Sequence, residues 1–362
     1  MSAPNPTVPA LPTRVSVVDL TEQDLPEVAA FVATQSGKGH AQRLGHLTWL
    51  LLENPVRLQG LPLGCGARSS NGALVGCILY LPQMFVFRTN LMLALGSSSF
   101  YVDEPHRGFG GAIFLRFARA AHRSPLFGNS ANPIAAQLWK ARGAKPIPNS
   151  DHELLGVMHW PPVVEEGVVR RGASGSLARA VGVATGWMGS VRRLKLPRET
   201  GEFVSLSTVE PAAEITRRGG SDLITAVRDP GYLRWRYDSR RDPSIAIFTF
   251  NDHMARAPVF AAVNERSRGH RGQIRALNVL DIFPKPEPAT TLAIMAALRD
   301  RYRDRTDMIV VRGQDERCQQ ALIAAGFHRR DFESSNGWLF DPRGLAPDKD
   351  WYFVPADGDW LI

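Results

Sequence analysis

Two short patterns occur twice, in the same order, along the 362 residues, and any fold for this chain has to accommodate both copies. The first is His46-Leu47-Thr48-Trp49 followed by Asn54-Pro55, matched by Tyr232-Leu233-Arg234-Trp235 followed by Asp242-Pro243. The second closes each half after a short strand: Leu138-Trp139-Lys140-Ala141-Arg142-Gly143-Ala144, then Ala321-Leu322-Ile323-Ala324-Ala325-Gly326-Phe327. Either pair alone is a coincidence of short patterns, but both in order point to a duplicated domain. Length agrees, since roughly 150 residues per domain gives two.

The element pattern within each copy is mixed. VSVVDL reads as a strand and TEQDLPEVAAFVATQS as a helix with a Thr cap and early acids. AQRLGHLTWLLLEN is a second helix, ending before Pro55. Three strand-like runs follow, LPLGCGARS, GALVGCILYLPQMFVF and NLMLALGSSSFYV, and a glycine-rich segment then opens the helix GGAIFLRFARAAHR. LFGNSA, the helix NPIAAQLWKARG capped by Asn132, and a closing strand ELLGVMHW complete the half. The later series has the same character: YLRWRYDSRRDP, SIAIFTF, PVFAAVNER, QIRALNVLDIF, the helix ATTLAIMAALRDRYRDR, the strand DMIVVRG and the helix DERCQQALIAAG.

The expected architecture is α/β (α+β): two tandem domains, each a mixed, mainly antiparallel sheet flanked by helices. The divisions fall at a Pro-rich, disordered start (1–14), a first domain (15–163), a basic Gly/Ala-rich connector (164–200) and a second domain (201–362).

Composition narrows the classes. Hydrophobic content of 44% and charged content of 22% suit a globular protein with a sizeable core. A formal charge of +8 favours an anionic partner, but the arginines are scattered without a stripe, so DNA is not expected. Cys65, Cys77 and Cys318 are isolated and read as buried small hydrophobes in a reducing compartment. No ligand spacing suggests a metal. The apolar runs are too short to span a bilayer, and the expected location is the cytoplasm.

The segment Val102 to His122 carries the chemistry. A helix that begins after a strand leaves its first N–H groups without partners, and its dipole favours an anion there. In Arg107-Gly108-Phe109-Gly110-Gly111-Ala112 the glycines remove side chains that would hold a phosphate away, and they permit the positive φ that turns N–H groups inward. Arg107 adds a charge-assisted contact. No Lys-Ser/Thr follows, which excludes the nucleotide-hydrolase loop, and a dinucleotide G-x-G-x-x-G would fail at Ile113.

This segment resembles the acetyl-CoA loop of the GNAT superfamily of N-acetyltransferases. Arg107, Gly110 and Ala112 fill the pattern of Arg or Gln, two residues, Gly, one residue, Gly or Ala, and Val102 stands where the family's central strand ends. Asn132, Leu138 and Gly143 resemble the second conserved block. The resemblance implies that acetyl-CoA, or another acyl-CoA, lies along Val102, Arg107, Gly108, Phe109, Gly110, Gly111 and Ala112, with Asn132 and Trp139 beside it. It implies transfer to an amine, with the thioester carbonyl held by a backbone N–H near Phe100 to Val102. The family's frequent thiol-protonating Tyr falls at Trp139, whose indole donates a hydrogen bond but is no practical acid.

The central strand offers only Ser97, Ser98, Ser99 and Tyr101 as polar side chains. Ser98 and Tyr101 are the candidate catalytic groups, with the serines read either as small residues beside the cofactor arm or as a water relay. His46, His106 and His122 lack the partners of a Ser-His-Asp triad. Trp235, Arg236 and Tyr237 read as core packing, or as the lining of a cleft.

In the second half, Ile282-Phe283-Pro284-Lys285-Pro286-Glu287-Pro288 replaces the glycine loop, and three prolines without N–H groups cannot cradle a pyrophosphate. The second half is therefore expected to be degenerate, shaping an acceptor cleft or supplying structure. Such tandem pairs resemble the Fem-type aminoacyltransferases and the acyltransferases of polysaccharide clusters. The expected partner is a small-molecule, glycan or peptide amine, such as an amino sugar or cell-envelope precursor; the alternative functions are an aminoacyltransferase using charged tRNA and a CoA-binding scaffold.

The connector holds Leu177, Val181, Ala184, Met188 and Val191 at helical spacing among basic residues. This stripe in residues 170–195 is read as packing across the domains, or as a contact with an anionic membrane surface.

Overall fold

The structure is a computed structural model that describes residues 14–189, 194–198, 201–218, 222–237, 242–252, 258–269, 272–313, 315–346 and 350–358, with the backbone alone for 185–189, 216–218 and 252. Residues 1–13 of the Pro-rich start lie outside the described residues.

The first half supplies β1 (Ser16–Leu20), α1 (Leu25–Ser36), α2 (His40–Leu47), β2 (Gly64–Arg68), β3 (Leu74–Phe87) and β4 (Asn90–Val102). It continues with α3 (Gly110–Ala118), β5 (Leu126–Gly128), α4 (Pro133–Ala141), β6 (Lys145–Pro146) and β7 (His152–Val157). Then come α5 (Trp160–Val169) and α6 (Gly175–Gly189). The second half opens with β8 (Gly201–Leu206), α7 (Glu210–Arg218), β9 (Ile224–Ala226), α8 (Pro230–Tyr237), β10 (Ile245–Asp252), β11 (Val259–Arg268) and β12 (Ile274–Phe283). It ends with α9 (Pro288–Tyr302), β13 (Met308–Val311), α10 (Glu316–Ala324), β14 (His328–Asp331), β15 (Trp338–Phe340) and β16 (Trp351–Tyr352).

Local chemistry sets several boundaries. Asp24 accepts hydrogen bonds from the backbone N–H and the hydroxyl of Thr21 at the entrance to α1, and Gly37, at φ +65°, ends that helix. Asn132 caps α4 by accepting from the Ala135 N–H at 2.9 Å, and Asp315 caps α10 in the same way.

The two halves build two sheets of the same plan. The first runs β1-β2-β3-β4-β5-β15-β6 and the second β8-β10-β11-β12-β13-β7-β14. In each, the pair at the fourth and fifth positions is parallel, β4 with β5 and β12 with β13, while the other pairs along these paths are antiparallel. The duplicated mixed sheets expected from the sequence are thus present. The sixth position is exchanged, however: β7 of the first half sits between β13 and β14, and β15 of the second half sits between β5 and β6. The strand read as closing the first domain therefore completes the second sheet, and a division at residue 163 does not separate the sheets. Two further short strands extend the first sheet, with β9 pairing the far end of β3 and β16 pairing β9.

Helices α3 and α4 cover the outer face of the first sheet, where Ile113, Phe114, Phe117 and Trp139 meet Ile78 and Leu95. Helices α9 and α10 cover the outer face of the second through Ile294, Leu298 and Leu322. Between the sheets one shared core joins Val28, Leu47 and Leu79 to Tyr232, Phe260 and Leu280.

The connector is more ordered than its composition implies. Val163 of α5 packs on the small cluster of Ile274, Ala276, Met308 and Val310. A Cβ at Gly182 would come 2.8 Å from the Pro161 carbonyl oxygen, so this glycine lets α6 lie directly on α5. The packed face is Ala178 and Gly182; Leu177 is 56% exposed and Ala184 is exposed, so the expected stripe is not the buried one. Met188 and Val191 lie outside the described side chains.

Candidate functional site

The parallel pair β4–β5 holds together for two residue pairs only, Leu95 with Leu126 and Gly96 with Phe127. β5 stops at Gly128, while β4 continues to Val102 still paired with β3. Along that pairing the register slips between Leu79–Ser98 and Cys77–Tyr101, and Ser99 sits in the left-handed region at φ +49°. A bulge of this kind bends a strand and re-aims its peptide groups. Together the early end of β5 and the bulge open a slot beside Ser97–Val102, where no described strand pairs the β5-side edge of β4.

Small residues keep the slot's base clear. A Cβ on Gly128 would lie 2.9 Å from the Ser97 hydroxyl and 3.2 Å from the Trp139 ring. Trp139 itself is 2% exposed and stands edge-on to Phe114, ring centroids 5.0 Å apart, so it walls the slot from within the core. Asn132 is occupied in capping α4.

Beyond Val102 the chain does not form the inward-turned cradle expected from its glycines. Residues Glu104–Phe109 wind as a 3-10 helix running straight into α3, and the Gly110 N–H donates to the Arg107 carbonyl. Gly108, Gly110 and Gly111 all keep φ out of the left-handed region. What the glycines provide is a bare surface: a Cβ at Gly108 or Gly111 would have nothing within 4 Å, whereas one at Gly110 would touch Val102 at 3.7 Å and Phe100 at 3.8 Å. Arg107 is largely exposed and lies 3.6 Å from Glu104, and Ala112 is exposed on the first turn of α3. Phe109 is half-buried, its ring 6.4 Å from that of His106.

The structure brings some candidates together and separates others. Ser98 is 2% exposed with its hydroxyl 3.4 Å from that of Ser99, while Tyr101 packs against the core between the sheets. Cys77 directs its thiol to the Ser99 carbonyl at 3.5 Å, and burial pushes that thiol up to about 12, so it stays protonated. One partnership was missed in the sequence: His106 Nδ1 lies 2.8 Å from an Asp103 carboxylate oxygen, pinning the turn that follows β4. Its i, i+3 spacing was the available signal.

At the equivalent position of the second sheet, β12 and β13 part after Asn278–Val310, and there the structure opens widely. A cavity of about 810 Å³ lies between α2 and the inner face of β11, β12 and β13. The tail after β16 runs between the two openings: the Gly313 Cβ position is 2.6 Å from the Phe353 carbonyl oxygen, and Gly358 lies directly against the Asn129 side chain. Arg228, wholly buried, holds this tail by pairing with Asp281 at 2.7 Å and Asp357 at 3.2 Å.

No family model matches the sequence, and no curated protein sequence matches it. Solved structures do match. A probable N-acyltransferase from Enterococcus faecalis superposes with a TM-score of 0.57 over 90% of this chain and 72% of that one, at 11% identity. A GCN5-related N-acetyltransferase from Anabaena variabilis gives 0.56 over 90% and 72%, at 10% identity. The chain has the fold of the GNAT N-acyltransferases. Saccharomyces cerevisiae N-myristoyltransferase, solved with bound myristoyl-CoA, shares this fold over 98% of this chain and 87% of its own, with a TM-score of 0.53 at 12% identity.

Proposed function

We propose that the protein is an N-acyltransferase that takes an acyl group from a CoA thioester in the slot beside β4 and passes it to an amine. The observation that carries this is the early parting of β5 from a bulged β4 with a glycine-bearing turn beyond it; β12 and β13 part in the same way, but there the second sheet has Pro284, Pro286 and Pro288 in place of the glycines. In this reading, edge N–H groups of Ser97–Val102 would hold the pantetheine arm and take charge from the thioester oxygen as the amine attacks. The C–S bond then breaks, and the thiolate takes up the proton the amine loses. Ser98 and Tyr101, the polar residues of this strand, would act through water. Acetyl-CoA is the expected donor, with a longer acyl-CoA as the variant to test, and Fem-like transfer from charged tRNA as another alternative. The acceptor would be an amino sugar or another amine-bearing envelope precursor.

A CoA-binding scaffold is the second reading, favoured by Trp139 being buried where the family's acid stands. Incubation with radiolabelled acetyl-CoA and myristoyl-CoA across an amine panel separates the two. Label transferred to an amine supports the enzyme, and binding without transfer supports the scaffold.

Among the described residues no helix is long and apolar enough to cross a membrane. A cytoplasmic location and a peripheral contact through residues 170–195 remain part of this proposal.

A further inference from the structure

The cavity between α2 and the second sheet is built for negative charge. Lys38, Arg43, Arg236, Arg266, Arg268 and Arg312 line it. Among the described lining residues one carboxylate is present, Asp242, and Arg266 holds it. Behind the wall, the buried Glu153 pairs with Arg268 at 3.0 Å, with Arg330 at 2.5 Å and also with Arg312, one carboxylate for three guanidinium groups. Burial, then Arg43, Arg236 and Lys38, press the His46 imidazole down to about 3. Burial, then Arg43 and Arg266, also lower the Lys38 ammonium.

The decisive side chain is Arg236. It is 1% exposed, its guanidinium carbon lies 5.6 Å and 5.5 Å from the Trp49 and Trp235 ring centroids, and one nitrogen donates to the Gly358 carbonyl. Its Nε and Nη1 have no hydrogen-bond partner among the described residues, nor do Arg268 Nη1 and His46 Nε2. A buried guanidinium with two unmet donors is unfavourable unless something accepts from it. In a space of about 810 Å³, the size of a small-molecule site, the natural acceptor is an oxyanion of a bound ligand.

A line of contacts ties this place to the slot. The Ser97 hydroxyl lies against Gly128, the next residue Asn129 lies against Gly358, and the Gly358 carbonyl takes the Arg236 hydrogen bond. We propose that the cavity holds the anionic group, a carboxylate or a phosphate, of the amine acceptor, so that the acceptor is an anionic amine whose far end is clamped on Arg236 and Arg268. This rests on the acyltransferase reading for the word acceptor, but not for the anion site itself.

The test uses the full chain without CoA and matched pairs of amines that differ only in charge. Glucosamine 6-phosphate against glucosamine forms the phosphate arm, and alanine against alaninamide the carboxylate arm, with affinity measured by calorimetry at two salt concentrations. Binding of the charged member, at least tenfold tighter than its neutral partner and weakened by salt, is expected in one arm, and that arm names the group. Exposed Gln42 on α2 lines the cavity, so Gln42→Glu should weaken that binding and Gln42→Lys strengthen it, with circular dichroism confirming an unchanged fold. Arg268→Gln should weaken it as well. Equal binding of charged and neutral members, or no response to either Gln42 variant, overturns the proposal. Anion binding without acyl transfer to any amine would instead sink the transferase reading and leave the anion site standing.

Discussion

Trp49 and Trp235 hold each other by the same bond in both directions. The indole N–H of each donates to the backbone carbonyl of the other at 2.9 Å, and the rings stack with centroids 5.2 Å apart. The repeated Leu-x-Trp patterns are thus one contact seen from two sides, at the centre of the shared core. A π-type turn over Thr48–Leu52 presents Trp49 to this contact. Replacing either tryptophan by Ala should cost about 3–5 kcal/mol in denaturant unfolding. The double variant should lose less than the sum of the two, because the second change finds its partner already gone.

Gly128 and Gly111 separate space in the slot from stability of the fold. Gly111→Ala places a methyl in open space on α3 and should leave stability equal or higher by up to about 1 kcal/mol, while reducing acyl-CoA affinity about tenfold in calorimetry. Gly128→Ala should lower both, and adding Ser97→Ala should restore part of each, since the Ser97 hydroxyl is its closest neighbour. Unchanged CoA binding in Gly111→Ala would remove the turn from the site.

Stability should fall in mild acid through His46. Its imidazole titrates near 3 when folded against an ordinary 6.5, so between these values the unfolded chain binds more protons, and stability rises with pH across that window. As pH drops below 6.5, this residue should remove roughly 1.4 kcal/mol per unit. Denaturant midpoints at pH 7 and pH 5, compared with those of His46→Gln, isolate the effect as a smaller acid loss in the variant.

The buried cation Arg228 serves two carboxylates, Asp281 and Asp357. Arg228→Met should destabilise by about 3–5 kcal/mol, because it leaves buried charge uncompensated. Protease mapping should then show cleavage after residue 350, where the tail loses its anchor.

Helix α6 leaves Leu177 and Val183, 56% and 66% exposed, beside the exposed Arg179. Under the membrane reading, the protein should float with anionic vesicles at low salt and not at high salt, and Arg192→Ser with Arg193→Ser should abolish flotation. No flotation at low salt would leave α6 as a packing helix.

Much of the architecture was legible because period and punctuation are local. Strand runs such as QIRALNVLDIF, the Asn132 cap and the order of elements in both halves follow from propensity and turn chemistry. The destination of β7 was not legible, since a strand's sequence records its own pattern and not which edge it joins. The glycine segment is bare, as its composition implies, but is not a turned cradle: Gly permits positive φ without requiring it, and Pro105 in the first turn suits a continuous helix. Arg236 fits both packing and cleft lining: it stacks on two tryptophans and lines the cavity, with two buried nitrogens that have no partner among the described residues.

The exchange of β7 for β15 also fixes an order of events during synthesis. The gap between β5 and β6 is filled by residues 338–340, which follow all seven strands of the second sheet in the chain. Until those residues leave the ribosome, the amino-terminal half carries unpaired strand edges and β7 has no sheet to join, which is the condition that invites association between nascent chains. An amino-terminal fragment ending in the connector should therefore precipitate, and should become soluble when the carboxy-terminal fragment is made beside it.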